Sequence, residues 1–255
     1  MLARSRAVRA ALFALGTATV FGAAPLAHAQ APSAAQVIDK YLLAIGGKDA
    51  IAALKSMRQV GTMEMPAMGM SMEMDVAVAA PNKRAMKMSI PGMGEMVQGY
   101  DGTTAWANDP MQGPRVLKDK ELAQVMESSD FVAEMLKDAS KYKSIEVLGQ
   151  EAFEGTSAWK LKFTRPSGNA TTEYYAVDTG LLIGQVASQT TPQGEIEART
   201  VMTDYKQFGA IKLPTKIMVS AGPQQMQMTT KTVTFNDVPD GAFALPDAIK
   251  TLVKP

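Results

Sequence analysis

The sequence predicts a mainly β protein with a few helices (α+β): a curved antiparallel up-and-down sheet or open barrel, covered by amphipathic helices over a hydrophobic cavity. Three observations predict it. Glycines at turn signals in the C-terminal half, Gly155, Gly168, Gly180, Gly194, Gly209 and Gly222, are 13, 12, 14, 15 and 13 residues apart. Such spacing implies consecutive hairpins with long strands, which favours a meander. Residues 68–79 alternate strictly, with Met68, Met70, Met72, Met74, Val76 and Val78 on one face. The stretches 33–55 and 118–142 alone carry helical periodicity, so they are the elements available to cover one face of the sheet.

The elements follow in chain order. Residues 1–29 have the layout of a secretory signal. Arg4, Arg6 and Arg9 precede the apolar stretch Ala10–Ala24, and Ala27-His28-Ala29 offers an A-x-A cleavage site after Ala29. The remaining chain, 30–255, is expected to be one exported, periplasmic domain. Ser33 can cap a first helix with Val37, Ile38, Tyr41, Leu42 and Ile45 on one face, ended by Gly46-Gly47. A second, over Asp49–Lys55, turns Ile51 and Leu54 inward. From Met57 the period is two. Pro81-Asn82 turns the chain, Met86, Met88 and Ile90 line the next strand, and Pro91-Gly92 turns it again. Asp101-Gly102 is a hairpin signal. Residues 108–117 are expected to be a Pro/Gly loop. One long helix is expected over Lys118–Tyr142, with Leu122, Val125, Met126, Val132, Met135 and Leu136 as its apolar stripe. About ten strands are expected in all, and Pro246–Lys254 supplies a last short helix.

Composition narrows the chemistry. The chain of 255 residues holds 26 basic and 25 acidic side chains, which makes no electrostatic case for nucleic acid. It has no cysteine, and its one histidine, His28, lies in the leader. Cleavage would leave neither thiolate nor imidazole, which excludes Ser-His-Asp and Cys-His catalysis and His- or Cys-based metal sites. No cysteine is available for N-terminal lipidation either. No segment beyond the leader runs to eighteen uncharged apolar residues, so no spanning helix is expected. Ser140 and Lys143 match S-x-x-K without its companion motifs.

Methionine is the anomaly. There are nineteen, and eleven lie between Met57 and Met96, mostly as M-x-M pairs. Core packing is the plain reading. A unique, tight core is better specified by branched residues, however, whereas methionine makes an adaptable wall for variable apolar ligands. Thioethers also favour Cu(I), and Met68–Met74 could supply them. Trp159 alternates with Leu161 and Phe163 as a packed face, and Trp106, beside the Pro/Gly loop, is placed at a cavity mouth.

The opening helices ending in AIGGKDAIAALKSM, the stretch PGMGEMVQGYDGTTAWANDPMQGPRVL, the mid-chain helical insertion and the phrase DYKQFGAIKLPTKI together resemble bacterial proteins of the LolA-like, outer-membrane lipoprotein-sorting class. The resemblance covers nearly all of 30–255. It implies an unclosed β-barrel with helices as a lid over a hydrophobic cavity. It implies binding rather than catalysis: carriage of lipoprotein acyl chains or other lipids through the periplasm, or, in related domains, stress sensing. The resulting expectation is a non-catalytic periplasmic carrier of an acylated lipoprotein or lipid, without cofactor, with inner- and outer-membrane proteins as candidate donors and acceptors. A copper(I)-binding protein and an envelope sensor or scaffold are the alternatives. The expected cavity wall and lid comprise Met68, Met70, Met72, Met74, Met86, Met88, Trp106, Val125, Met126, Met135, Trp159, Leu161 and Phe163.

Overall fold

A computed structural model describes residues 31–191 and 194–253. The expected leader and its expected cleavage site, within residues 1–30, and residues 192–193 and 254–255 lie outside the described residues. Two helices open the domain, α1 (Ala34–Ala44) and α2 (Lys48–Ala52). Six strands follow: β1 (Ser56–Met65), β2 (Met70–Ala79), β3 (Lys83–Ile90), β4 (Gly94–Tyr100), β5 (Ala105–Asp109) and β6 (Gly113–Val116). Helices α3 (Asp119–Glu127) and α4 (Phe131–Leu136) then lead into seven more: β7 (Ser144–Phe153), β8 (Thr156–Thr164), β9 (Ala170–Ala176), β10 (Leu182–Thr191), β11 (Gly194–Phe208), β12 (Ile211–Ala221) and β13 (Gln224–Phe235). A short α5 (Asp247–Lys250) ends the described chain.

All thirteen strands form one antiparallel sheet in the order β6-β5-β4-β3-β2-β1-β13-β12-β11-β10-β9-β8-β7. Every neighbour is a sequence neighbour except β1 and β13, which join the two halves. The sheet does not close, since β6 and β7 are its edges, and α3 and α4 are the chain that passes between them.

The helices cover one face, called inner here. Ser33 caps α1 in a capping box: its hydroxyl accepts from Gln36 N–H at 3.2 Å, and the Gln36 side chain accepts from Ser33 N–H at 2.8 Å. Such a cap is worth about 1 kcal/mol. Gly46 then lets α1 come down onto the start of β12. A Cβ there would stand 2.2 Å from the Ala210 carbonyl oxygen, and Lys212 N–H bonds the Ile45 carbonyl at 2.9 Å. Val37, Ile38, Tyr41, Leu42, Ile45 and Ile51 pack with Leu161, Phe163, Tyr175, Leu182 and Ile211 of the sheet and with Phe131 of α4.

The outer face has its own patches. Phe153, Ala158 and Tyr174 pack with Val186 and Val201, while Phe243 of the C-terminal run covers Ala77 and Ala79.

Four sequence expectations are corrected. The long helix is two. Ser128 and Ser129 turn their hydroxyls back onto the Gln124 and Met126 carbonyls at 3.2 and 2.9 Å, ending α3, and the Asp130 carboxylate caps α4 at Ala133 N–H, 3.1 Å. A separate 3-10 turn, Ala139–Lys141, precedes β7. The loop at 108–117 is a hairpin whose second strand is β6. The strand expected from Met68 begins at Met70, because Pro66–Met68 is a 3-10 turn and Gly69 is left-handed. The sheet has thirteen strands rather than about ten.

Candidate ligand-binding trough

The alternation that begins at Met70 has a definite address. Its apolar phase, Met70, Met72, Met74, Val76 and Val78, faces inward, because Val76 and Val78 pack into the core beneath the helices. Register carries the phase across the sheet. Met72 stands opposite Met63 and Met70 opposite Met65 on β1. Met74 stands opposite Met88, and Val76 opposite Met86, on β3. Met88 in turn faces Met96 on β4. On the far side of β1, Met63 pairs with Met228, and Met226 alternates with it on β13 opposite Val219 of β12. Directly opposed side chains have Cβ atoms about 5 Å apart. Ten methionines therefore form a continuous ladder over β13, β1, β2, β3 and β4.

The middle of the ladder is dry and its rim is not. Met72, Met74 and Met88 are 4–6% exposed, whereas Met63, Met65, Met70, Met86, Met96, Met226 and Met228 are half-buried. None of these ten belongs to the clusters packed under the helices. The result is a continuous methionine-lined stretch of the inner face, termed the trough, beside the helical cover. It is walled by thioethers that change rotamer easily and adapt to an irregular apolar guest.

The expected site residues fall into several groups. Met70, Met72, Met74, Met86 and Met88 are brought together. Met68 is not: it is 61% exposed in its 3-10 turn. Trp106 is corrected too. It is buried, but it alternates out of phase with Ala105 and Ala107, lies opposite Gly99, and its ring fills the space a Cβ at Gly99 would need, 2.2 Å away. It therefore belongs to the outer face and not to a cavity mouth. Trp159, Leu161 and Phe163 are on the inner face of β8, yet Leu161 and Phe163 are sealed core and Trp159 packs against it. Met135 joins that core. Val125 packs with Leu122 over Tyr100, Ala105, Ala107 and Leu117, and Met126 points away, 52% exposed. Met63, Met65, Met96, Met226 and Met228 are trough residues absent from the expected wall. Four of them sit in M-x-M pairs, the same signal that marks β2.

A polar cleft adjoins the trough under α3. It has a volume of about 230 Å³ and is lined by Arg84, Gln98 and Gly99 of the sheet, by Leu117, and by Glu121, Gln124, Val125 and Ser128 of the α3 segment. Glu121 is already engaged by Arg115 at 2.8 and 2.9 Å. Burial lowers the pKa of Arg84. A second, mostly apolar cleft of about 250 Å³ opens on the outer face between Arg58, Lys87 and Val238.

The cover is tied to the sheet by charge. Lys137, left-handed at the end of α4, extends Nζ to Glu173 Oε1 on β9 at 2.7 Å, with both side chains under 9% exposed. Tyr175 donates to the other carboxylate oxygen, and Tyr41 of α1 stacks edge-on against Tyr175 at 5.4 Å. Burial would lower the Lys137 pKa, but the facing Glu173 carboxylate, with Tyr142 and Glu134 adding to it, reverses the direction and the net shift is upward. Burial pushes Tyr41, Tyr175 and Tyr205 up, with Glu173 adding to each, and takes Tyr142 up to about 12. Nearer the surface, Arg165 bonds Glu134 of α4 at 2.8 Å and lies 5.1 Å over the Tyr142 ring. Among the described residues no three His, Cys, Asp or Glu side chains converge as a metal site, and no helix is long and apolar enough to cross a membrane.

Known structures share this architecture. A LolA superfamily protein of Nitrosomonas europaea superposes with a TM-score of 0.58 at 11% identity, over 84% of this chain and 99% of that one. A DUF1329 family protein of Desulfovibrio piger gives 0.57 at 12% identity, over 82% and 96%. An outer membrane lipoprotein-sorting protein domain of Vibrio parahaemolyticus gives 0.53 at 10%, over 85% and 96%. No family model matches the sequence, and no curated protein matches it. At these identities the likeness concerns the fold, and the fold is LolA-like.

Proposed function

We propose that this LolA-like chain is an exported, non-enzymatic carrier that takes an acyl-chain ligand, a lipid or the lipid moiety of a lipoprotein, into the methionine trough. The observation that carries the reading is the ladder itself: a continuous apolar, adaptable surface on the inner face, buried at its centre and half-buried at its rim, beside the helices. The fold shared with lipoprotein-sorting and LolA superfamily structures supports it. So does the leader-like sequence at residues 1–29, which points to the periplasm. The likenesses in fold lend nothing to the copper alternative.

Burying a methylene is worth about 0.8 kcal/mol, so a C16 chain gains roughly 12 kcal/mol before ordering costs. Full burial would hold the guest too tightly for a carrier. A shallow wall whose rim keeps some solvent contact gives a smaller gain and an exit path.

The test is native mass spectrometry of protein isolated from the periplasm, followed by titration of the emptied protein with a fluorescent fatty acid. One bound amphiphile per chain, displaced by unlabelled acyl chains and weakened about tenfold by Met63→Asp with Met228→Asp, is the expected outcome. Absence of both a co-purified lipid and any saturable uptake would remove the carrier reading.

A further inference from the structure

Arg84 occupies an unusual place. It is the first inward residue of β3 in a row that continues Met86, Met88 and Ile90, so its guanidinium and the thioethers share one face of one strand. Alternate residues on a strand are about 7 Å apart, which puts Arg84 one step beyond the ladder. Across the strands it faces Val78 and Tyr100, neither of which carries a counter-charge. Among the described residues it makes no ion pair and no hydrogen bond. The one carboxylate in its cleft, Glu121, is held by Arg115. The other polar walls, Gln98, Gln124 and Ser128, are neutral; the two amides can donate, while the Ser128 hydroxyl is spent on the Gln124 carbonyl. The guanidinium nitrogens of Arg84 are not fully buried, so an anion entering the cleft can reach them. Arg84 stands at the wall of a cleft of about 230 Å³, next to an apolar trough.

We infer that Arg84 is the headgroup receptor of the site: it takes the monoanionic head of a single-chain amphiphile, a carboxylate or a phosphodiester, while the acyl chain runs along Met86 and Met88 toward Met74 and Met96. This rests on the carrier reading and names its ligand class. The planar guanidinium offers two parallel N–H donors to two oxygens of one anion, a match that a lysine would not reproduce. One uncompensated positive charge fits one negative charge, so a dianionic phosphate monoester is the poorer guest. Arg84 in the cleft and Met86 on the ladder are successive inward residues of β3, so an amphiphile with its head on Arg84 has its tail beside Met86.

The experiment compares three ligands of equal chain length on the emptied protein: oleate, oleyl alcohol and an oleoyl lysophospholipid with a phosphodiester head and a net charge of −1. Wild type should bind at least one of the anions about tenfold or more tighter than the alcohol, and the preferred anion identifies the head. Arg84→Gln should reduce that preference to within about twofold, and Arg84→Lys should restore it only in part. A wild-type protein that binds all three alike overturns the inference and leaves the carrier reading standing, and this arm needs no variant. A preference that persists undiminished in Arg84→Gln also overturns it. If none of the three binds, it is the carrier reading that has failed.

Discussion

The two halves of the sheet are built from the same antiparallel hairpins and differ in what lies on their inner face. From β7 to β12, Leu161, Phe163, Tyr175, Leu182 and Ile211 meet α1, α2 and α4 in a closed core. These are branched and aromatic side chains with few low-energy rotamers, and they hold one arrangement. From β1 to β4, with the adjoining end of β13, the same face carries methionine after methionine; Met57, Val76 and Val78 join the helix-covered core, and the ten ladder methionines lie outside it. One half specifies a structure and the other supplies a surface. A carrier needs both, because a guest that reshapes the trough must not unfold the frame that holds it.

The largest effect should come from the buried ion pair, which belongs to the closed half. Lys137→Met leaves the Glu173 carboxylate without its partner in the core, and Glu173→Leu does the converse to Lys137. Each should cost about 3–5 kcal/mol, because an uncompensated buried charge is left behind. At this chain length that is a fall in Tm of about 10 °C. The double variant should recover only part of the loss, since an apolar pair replaces the ions but the buried Tyr175 hydroxyl is left without its acceptor. Calorimetry of the four proteins completes the cycle. Single variants within about 1 kcal/mol of wild type would mean that water reaches the pair and that the closed half is not closed.

The trough should be much more tolerant. Met72→Leu and Met74→Leu conserve volume and apolarity, and each should cost less than about 1.5 kcal/mol. Fluorescent fatty-acid affinity should stay within about threefold. A loss of binding on this conservative swap, with stability intact, would show that the sulfur rather than the apolar wall is what the site requires. Copper(I) titration of the same variants separates the two cases, because leucine offers no thioether.

This contrast was partly legible in the sequence. The period of two through Met70–Val78 and the M-x-M spacing define a strand face directly, because each side chain's face follows from its parity. Arg84 falls in phase with Met86 and Met88 by the same rule. The split of the mid-chain helix was written in Ser128-Ser129-Asp130, but side-chain bonds to carbonyls and an aspartate cap are local events hidden under an uninterrupted apolar stripe. Strand β6 is four residues with Pro114 inside it, and its identity depends on the neighbouring β5. Glu173 sits in ATTEYYA with nothing to mark it as buried, because its partner arrives from a helix 36 residues away. Trp106 was harder still. Its face follows from Gly99 on another strand, a complement that no single segment displays.

Alkali offers the gentlest way to separate the halves. Tyr41, Tyr142, Tyr175 and Tyr205 all lie in or against the closed core, and all have pKa values raised by burial, Tyr142 to about 12. A phenol whose folded pKa exceeds its unfolded value near 10 keeps its proton longer in the native state. The native state therefore binds more protons above pH 10, and stability falls as pH rises. The stabilisation from Tyr142 is complete below pH 10 and is lost as pH climbs from 10 towards 12. The two tryptophans report on the two halves. Trp159 packs against the closed core, and Trp106 is buried on β5. With each replaced in turn by phenylalanine, the emission of Trp159 should begin to change above pH 10 at a lower pH than that of Trp106. Tyr142→Phe should shift the Trp159 curve a few tenths of a pH unit upward and leave the Trp106 curve in place. Coincident curves in every variant would show that the sheet unfolds as one cooperative unit, with the trough drawing its order from the same core. The difference between the halves would then be one of composition and not of stability.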